Sequence, residues 1–363
     1  MQAALKKLRP VDLLPLLFLL TVAGLTLLSE REPRIDREKL GAWGVITFLW
    51  MLIVALPSVV RFELDFLKPK FRNLPGHVVL ILLAVVLLFT HSLRDLFDPI
   101  AIVILSVIVF LVHGLGRRKK SFTLVTFLYE WSPLIISFYI YENLRWFVSS
   151  LNPRVMDDVL ARIDLALFGI HLSLVAERYQ SPWLSEWFSF HYAAYVLYPV
   201  TTGMLLYYTD RKDEFEDFVL AFGLSMYIGF IGYLLVPAVG PISGLLPLFS
   251  TPTVPGMDLT AFQETVVEKY RYIRDAFPSL HAANSLLCVL TLRKPYPRLF
   301  RFFVFMEINL LLSTIYLRMH YTIDVVAGLV LGSAAWWAAP RINALRYGSR
   351  RQETTARAET SPQ

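Results

Sequence analysis

The chain has 363 residues, of which 56% are hydrophobic and 18% are charged, and its formal net charge is +6. A soluble domain usually has about 25% charged residues, whereas here the apolar residues are grouped in blocks of about 20, the length that spans a bilayer. The composition therefore excludes an ordinary soluble domain. Because the Lys and Arg residues are spread through the loops between the blocks, the positive charge gives no reason to expect a nucleic-acid partner.

The apolar blocks predict a series of membrane-spanning helices. In chain order they cover residues 11–28, 41–60, 77–91, 99–115, 122–148, 187–208, 217–236, 279–292, 299–317 and 321–339. We therefore predict an all-α polytopic membrane protein, in which a six-helix core at 121–340 follows about four extra transmembrane helices at 1–120 of unassigned role. The polar segment 341–363 is predicted to be a disordered cytoplasmic tail.

The loop charges predict how these helices are oriented. Most of the 35 Lys and Arg residues lie on the side of the N-terminus, including the clusters at 116–120 and 293–298. By the positive-inside rule, both termini are cytoplasmic. Two long loops, 149–186 and 237–278, then lie outside, and the apolar spacing in 149–186 predicts helices lying in the membrane interface. We expect a multi-pass protein of the cell membrane.

Two histidines lie where predicted helices meet the outer face. Residues 278–281 read Pro-Ser-Leu-His, and Ser279 is suited to cap the helix that follows, whose free N–H groups can bind phosphate. His320 and Asp324 are four residues apart, so they share one helix face, and the carboxylate can orient the imidazole. Arg318 lies two residues before His320 and can bind a phosphate oxygen. The alternation of helices brings all of these residues to one membrane face.

The two histidine segments resemble motifs of the type-2 phosphatidic acid phosphatase superfamily. "PSLH" at 278–281 resembles the second motif of that family, Pro-Ser-Gly-His. "STIYLRMHYTID" at 313–324 resembles the third, Ser-Arg, five residues, His, three residues, Asp. "YLLVPAVGP" at 233–241 occupies the place of the first motif, Lys, six residues, Arg-Pro. The resemblance covers about 122–340 and implies the six-helix catalytic core of that superfamily.

Three departures from the family motifs replace a phosphate-binding cation with an uncharged residue. Tyr233 stands for the lysine and Gly240 for the arginine of the first motif, and Thr314 stands for the arginine of the third. Leu280 replaces the glycine of the second motif. Together with "AFPSLHA" and with "DLALFG" at 164–169, this pattern resembles the branch that contains the inositol phosphorylceramide synthases.

The resemblance implies a role for each site residue. His320 would attack phosphorus and become phosphorylated, Asp324 would orient its ring, and His281 would protonate the leaving oxygen and then deprotonate the acceptor. Six residues are candidates to bind the substrate and stabilise the negative charge of its phosphate: Ser279, Arg318, Ser313, Tyr233, Arg271 and Arg274. The sequence offers no ligand set for zinc or for a two-metal site, so no metal or other cofactor is expected.

Three functions are compatible with these residues. If an alcohol accepts the group, the protein is a lipid phosphotransferase that takes a phosphate or phospho-head group from a phospholipid donor to a lipid or alcohol acceptor. If water accepts, it is a metal-independent lipid phosphate phosphatase. The third is a transporter or receptor, which should have two related halves with broken helices. We favour transfer, because the missing cations weaken the hold on a phosphate monoester more than on a less charged diester.

Overall fold

The computed structural model describes residues 9–15, 17–18, 20–22, 124–270 and 274–359. The predicted helices at 41–60, 77–91 and 99–115, and the candidate Arg271, lie outside the described residues. The chain divides into two compact units, one formed by Met1–Leu8 and Gly41–Ser132 and the other by Arg9–Leu40 and Pro133–Gln363. Every described candidate site residue belongs to the second unit.

The described ranges are helical and contain no strand. The α-helices are α1 (Leu124–Leu151), α2 (Asp157–Phe168), α3 (Leu172–Glu177), α4 (Pro182–Ala194), α5 (Leu197–Tyr208), α6 (Lys212–Leu235), α7 (Pro241–Gly244), α8 (Asp258–Tyr270), α9 (Leu280–Leu292), α10 (Pro297–Tyr316) and α11 (Thr322–Glu359). Short 3-10 helices cover Pro10–Leu13 and Leu246–Leu248. A parallel bridge joins Ala238 to Asp275. The predicted all-α architecture is confirmed.

Three of the described helices are long and apolar enough to cross a membrane. They are α6, α10 and the Thr322–Leu345 part of α11, while α9 is apolar but shorter. The apolar helix α6 is buried over most of its length because α9 and α11 both pack against it, and α9 also packs against α10. The protein is therefore a membrane protein whose described core is a helical bundle around α6.

One predicted helix is broken in the structure. The sequence predicts a continuous span over 187–208, whereas α4 ends at Ala194 and α5 begins at Leu197. Pro199 has no N–H, so the carbonyl of Tyr195 cannot receive the usual helical hydrogen bond from four residues later. The N–H of Tyr198 binds that carbonyl instead, at 3.0 Å. The prediction of one continuous helix is wrong for this physical reason.

The loops on the predicted outer side carry their own helices. The loop 149–186 contains α2 and α3, and the loop 237–278 contains α7, a 3-10 turn and α8. At the other end, α11 continues to Glu359, through most of the segment that the sequence predicts to be disordered. The domain boundaries at 120 and 340 stay predictions.

Candidate active site

The two predicted histidines meet at the start of α9 and the turn before α11. Nε2 of His320 lies 3.4 Å from Nδ1 of His281, and the ring centroids are 5.5 Å apart. His320 is 4% exposed, so its ring is almost completely withdrawn from solvent. Two imidazoles at this separation are close enough to act on one phosphoryl group.

The other nitrogen of His320 is held by two oxygens. Nδ1 lies 2.9 Å from the carbonyl oxygen of Ala276 and 3.6 Å from Oδ2 of Asp324. Because a carbonyl oxygen only accepts hydrogen bonds, Nδ1 carries the proton and the lone pair of the neutral ring is on Nε2. The same Oδ2 accepts the N–H of Tyr321 at 2.8 Å, which fixes the carboxylate. The nearest partner of the ring is thus a backbone carbonyl that sequence reasoning missed.

His281 lies between two tyrosine rings of the broken helix. The ring of Tyr192 stacks on it at 4.5 Å, with an interplanar angle of 30°, and the ring of Tyr195 is tilted at the same distance. The hydroxyl of Tyr195 accepts a hydrogen bond from Asn284, one turn further along α9. The interruption between α4 and α5 therefore lies beside the imidazole, and its aromatic residues fix the plane of the ring.

Two buried carboxylates of α2 connect the loops that carry the site. Asp157 accepts the N–H groups of Val239 at 3.0 Å and Gly240 at 2.7 Å, and the hydroxyl of Tyr321 donates to it at 3.1 Å. Asp164 accepts the N–H groups of Thr322 and Ile323 at 3.2 and 2.8 Å. Asp164 therefore caps the N-terminus of α11 from a distant helix, and Asp157 joins the loop after α6 to the turn that holds His320.

Replacing Asp164 with alanine is expected to destabilise the protein by about 2 kcal/mol, because two N–H groups at the start of α11 lose their acceptor inside the protein. Thermal unfolding of the purified protein measures the loss. Asp158→Ala, on the exposed face of the same helix where Asp158 pairs with Arg162, is the matched control and should change the midpoint little. Equal midpoints for the two variants would contradict the assigned capping role.

Arg318 is engaged by other protein groups. Its Nη2 lies 3.1 Å from Oε1 of Glu177 and 3.0 Å from Oε1 of Gln180, and its Nη1 donates to the carbonyl of Thr251 at 2.7 Å. The guanidinium also covers the ring of Phe249 at 3.8 Å. Arg318 is only 1% exposed, and its contacts tie the loop 149–186 to the loop 237–278. Direct binding of phosphate by Arg318 stays a prediction and would require this ion pair to open.

Glu177 is the acceptor at the centre of these contacts. Burial raises the pKa of its carboxyl, but hydrogen bonds from the backbone of Ser250 and Thr251 and the charge of Arg318 outweigh burial and lower it. The ionised carboxylate thus holds the segment at Ser250 and Thr251 in place.

Arg318→Ala and Glu177→Ala are expected to lower stability to a similar extent, since breaking a buried ion pair from either side costs about 3–5 kcal/mol. Both variants should also change the KM for substrate by similar factors. Thermal unfolding and steady-state kinetics provide the two measurements. A KM that rises at least about tenfold more for Arg318→Ala than for Glu177→Ala would instead indicate direct phosphate binding.

The remaining candidates described here make hydrogen bonds to nearby backbone groups. Ser279 is buried at the start of α9, where its hydroxyl caps the N–H of Ala282 at 3.3 Å. Ser313 donates to the carbonyl of Leu310 within α10. Arg274 donates to the backbone carbonyls at 152 and 153, so it braces the end of α1. Their roles in binding substrate stay predictions.

Tyr233 occupies the position of the lysine of the first family motif. Its side chain is buried at the end of α6, contacts the backbone of Leu280 and lies within electrostatic reach of Asp275. The structure thus brings Tyr233 to the start of α9, beside the Ser279–His281 segment. Whether its hydroxyl contacts substrate stays a prediction.

Asp275 is an acidic residue near the site that sequence reasoning did not single out. It precedes Ala276, and its Oδ2 accepts the hydroxyl of Tyr141 at 2.6 Å. Burial outweighs the hydrogen bond from Tyr141 and the charge of His320, so the pKa of this carboxyl is raised above its ordinary value. The signal was available in "RDAFPSLHA", since a carboxylate six residues before a candidate catalytic histidine is expensive to bury without a function.

Comparison with known proteins identifies the class. Residues 159–338, which run from α2 to the membrane-spanning part of α11 and contain both histidines and Asp324, match the model of the PAP2 superfamily. This part of the chain therefore belongs to the PAP2 superfamily, and the resemblance drawn from the motifs is confirmed. The class is one of enzymes that act on lipid phosphates, as transferases or phosphatases.

A named relative supports the resemblance to the synthase branch. Phosphoinositol dihydroceramide synthase of Bacteroides thetaiotaomicron is 24% identical over 281 residues, which is 71% of this chain and 89% of the relative. The chain is thus similar to a lipid synthase over most of its length. No solved structure matches it significantly.

Proposed function

We propose that the protein is a membrane lipid phosphotransferase that moves a phosphate or phospho-head group between lipids through a phosphohistidine on His320. The observation that carries this proposal is the 3.4 Å separation between Nε2 of His320 and Nδ1 of His281. One ring has its lone pair on Nε2, because its other nitrogen faces Ala276 and Asp324. The second ring is then within reach of the group that leaves.

The first half-reaction forms the phosphoenzyme. Nε2 of His320 attacks phosphorus, a P–N bond forms, and the P–O bond to the leaving alcohol breaks. The protonated ring of His281 gives its proton to the departing oxygen. His320 gains positive charge in this step, and the carboxylate of Asp324 and the carbonyl of Ala276 stabilise it through Nδ1–H.

The second half-reaction releases the group to the acceptor. His281, now neutral, takes the proton of an acceptor hydroxyl as its oxygen attacks phosphorus, and the P–N bond breaks. His320 returns to its starting state and His281 is again protonated, so that protons and electron pairs balance over the cycle. The N–H groups at the start of α9 and the hydroxyl groups around the pair are the candidate donors to the phosphoryl oxygens.

The missing family cations favour transfer over hydrolysis of monoesters. Gly240 has a φ of 104°, and a Cβ at this position would overlap the carbonyl of Met319, so no arginine fits there. Thr314, in place of the third-motif arginine, is fully buried and donates to Leu311. The relative's name describes the synthesis of phosphoinositol dihydroceramide. We propose that this chain likewise joins a phospho-head group to a lipid alcohol.

The proposed site faces the exoplasmic side. α9 begins, α10 ends and α11 begins beside the histidine pair. The excess of Lys and Arg in the loops on the opposite side, and the positive-inside rule, then put both termini in the cytoplasm. Donor and acceptor would both be lipids of the outer leaflet.

A transfer assay in lipid vesicles tests this function. The purified protein is given a phosphodiester lipid labelled with ³²P, with and without a long-chain lipid alcohol. Label that moves to the alcohol supports transfer. Label released into water as phosphate or head-group phosphate, whether or not the alcohol is present, supports a phosphatase. If neither product forms from diester or monoester lipids, the proposal fails.

A further inference from the structure

An acidic side chain lies near the middle of one of the apolar helices. Glu307 belongs to α10, which is long and apolar enough to cross a membrane. The residue is only 5% exposed, so the helical bundle encloses its carboxyl group. Acidic residues at membrane depth are costly and rare, and those that occur usually have a function. Glu307 is therefore a candidate for a functional role inside the bundle.

The surroundings of Glu307 favour the neutral form of its carboxyl group. In the described part of the chain, no ion pair includes Glu307, and neither of its oxygens accepts a hydrogen bond. The side chains with which it interacts electrostatically carry no charge of their own: Tyr195, Tyr198, Ser285 and Cys288. An ionised carboxylate with neither a cation nor a donor is very costly to bury, and such a group takes up a proton instead. The carboxyl group of Glu307 then has a hydrogen-bond donor of its own.

Ser285 is the acceptor beside this donor. Its side chain is completely buried and lies next to the carboxyl group of Glu307, where α9 packs against α10. The hydroxyl proton of Ser285 is already used, because it is donated to the carbonyl of His281 one turn earlier in α9. A hydroxyl oxygen that donates its proton can still accept hydrogen bonds. A protonated Glu307 thus completes a chain from α10 through Ser285 to the backbone of His281.

This chain ends at the residue that the proposed reaction uses as its acid and base. Tyr192 and Tyr195 hold the plane of the His281 ring, whereas the backbone of the first turn of α9 determines where the ring is attached. We propose that Glu307 is a positioning residue, which donates to Ser285 as a neutral acid and so fixes the turn of α9 that carries His281. This inference rests on the proposed transfer function, in which Glu307 acts through Ser285 and not on the substrate.

Transfer kinetics of variants at two positions test the chain. Glu307→Gln keeps an uncharged donor of similar shape, so its kcat/KM should stay within about threefold of wild type. Glu307→Leu removes the donor and should lower kcat/KM at least about tenfold, because a small displacement of a reacting group has a large effect on rate. Ser285→Ala should have a similar effect. The double variant should be no slower than the slower single variant, since both residues act through one contact.

Thr291→Val is the matched control for Ser285→Ala. Thr291 lies near the other end of α9, and its hydroxyl donates to the carbonyl four residues earlier, as the hydroxyl of Ser285 does. Because Thr291 is further from His281 along the helix, its replacement should leave the transfer rate unchanged. If Thr291→Val is as slow as Ser285→Ala, the loss comes from removing any hydroxyl of α9, which contradicts the inference.

Infrared spectroscopy measures the protonation of Glu307 directly. The difference spectrum between wild type and Glu307→Gln, recorded in vesicles at neutral pH, should contain the C=O stretching band of a protonated carboxyl group, and this band should shift in D2O. Glu214→Gln removes an exposed carboxylate that pairs with Arg211 at the start of α6, and it should leave the band in place. If the first difference spectrum contains the bands of an ionised carboxylate instead, the inference is overturned.

The possible results separate this inference from the proposed function. Transfer by the wild type with an unchanged rate in Glu307→Leu overturns the positioning role and leaves the function intact. A Glu307→Gln protein that does not fold, or that is as slow as Glu307→Leu, also overturns it, because a neutral donor is then insufficient. If Glu307→Leu does not fold, the comparison of Ser285→Ala with Thr291→Val decides between the same outcomes. A wild type that moves no phosphate overturns the function and the positioning role together.

Discussion

His320→Ala is expected to lower the rate of label transfer by at least about 10³-fold, because the proposed nucleophile is lost and neither half-reaction can proceed through the enzyme. Wild-type protein quenched in alkali with ³²P-labelled donor should carry labelled protein whose label is released by acid, as a phosphorus–nitrogen bond requires. The variant should carry none. Its fold should persist, since the substitution removes one imidazole and its hydrogen bond to Ala276.

His281→Ala is the matched comparison, because it removes the same kind of ring 3.4 Å away. Loss of a general acid and base typically costs about 10²–10⁴-fold, and phosphoenzyme formation should become slow without being abolished. Labelled protein in His320→Ala but not in His281→Ala would reverse the two assigned roles. Full activity in either variant would rule out the mechanism.

Gly328→Ala is expected to reduce transfer about 100-fold while leaving the helices formed, because a displacement of about 1 Å at a reacting group has effects of this size. A Cβ at Gly328 would overlap the carbonyl oxygen of Ser279 and would lie 3.1 Å from the Cβ of Ala282. That carbonyl is backbone and cannot rotate away. The start of α9 must therefore move from α11, which separates His281 from His320.

Circular dichroism and transfer kinetics, both measured well below the unfolding temperature, distinguish displacement from unfolding. Val330→Ala, on the same helix at a position that is 65% exposed, is the control and should keep its activity. A Gly328→Ala protein with the wild-type rate would mean that the contact between α9 and α11 does not set the histidine geometry. A loss of activity matched by an equal loss of helical signal would assign the effect to unfolding and would contradict the predicted displacement.

The histidine pair could be predicted from the sequence because local rules determine it. His320 and Asp324 share a helix face by their spacing, and the alternation of spans brings the start of α9 to the same side. The broken helix at Tyr195 was within reach of the same rules, since Pro199 is visible in the sequence. The length of the apolar block at 187–208 suggested one helix, although Pro199 removes the hydrogen bond to Tyr195 that a continuous helix needs.

The supporting contacts could not be predicted because they join residues far apart in the chain. Arg318 looks like a phosphate ligand until its partner Glu177, 141 residues earlier, is brought to it by the fold of the loop 149–186. Asp164 caps α11 across 159 residues, and no local pattern identifies its target. Sequence motifs consist of side chains, so they give no indication that the backbone carbonyl of Ala276 binds His320. Sequence thus indicated the proposed reacting groups, and packing determined what holds them.

The two buried carboxylates of α2 leave the opposite face of that helix available. Asp157 and Asp164 are seven residues apart and point inward, whereas Asp158 and Arg162 are exposed. The only cysteine of the chain, Cys288, is buried and so shielded from reagents. A cysteine introduced at position 158 would therefore be labelled selectively by a fluorophore, and its emission would follow the loop 149–186 in real time during the proposed transfer reaction.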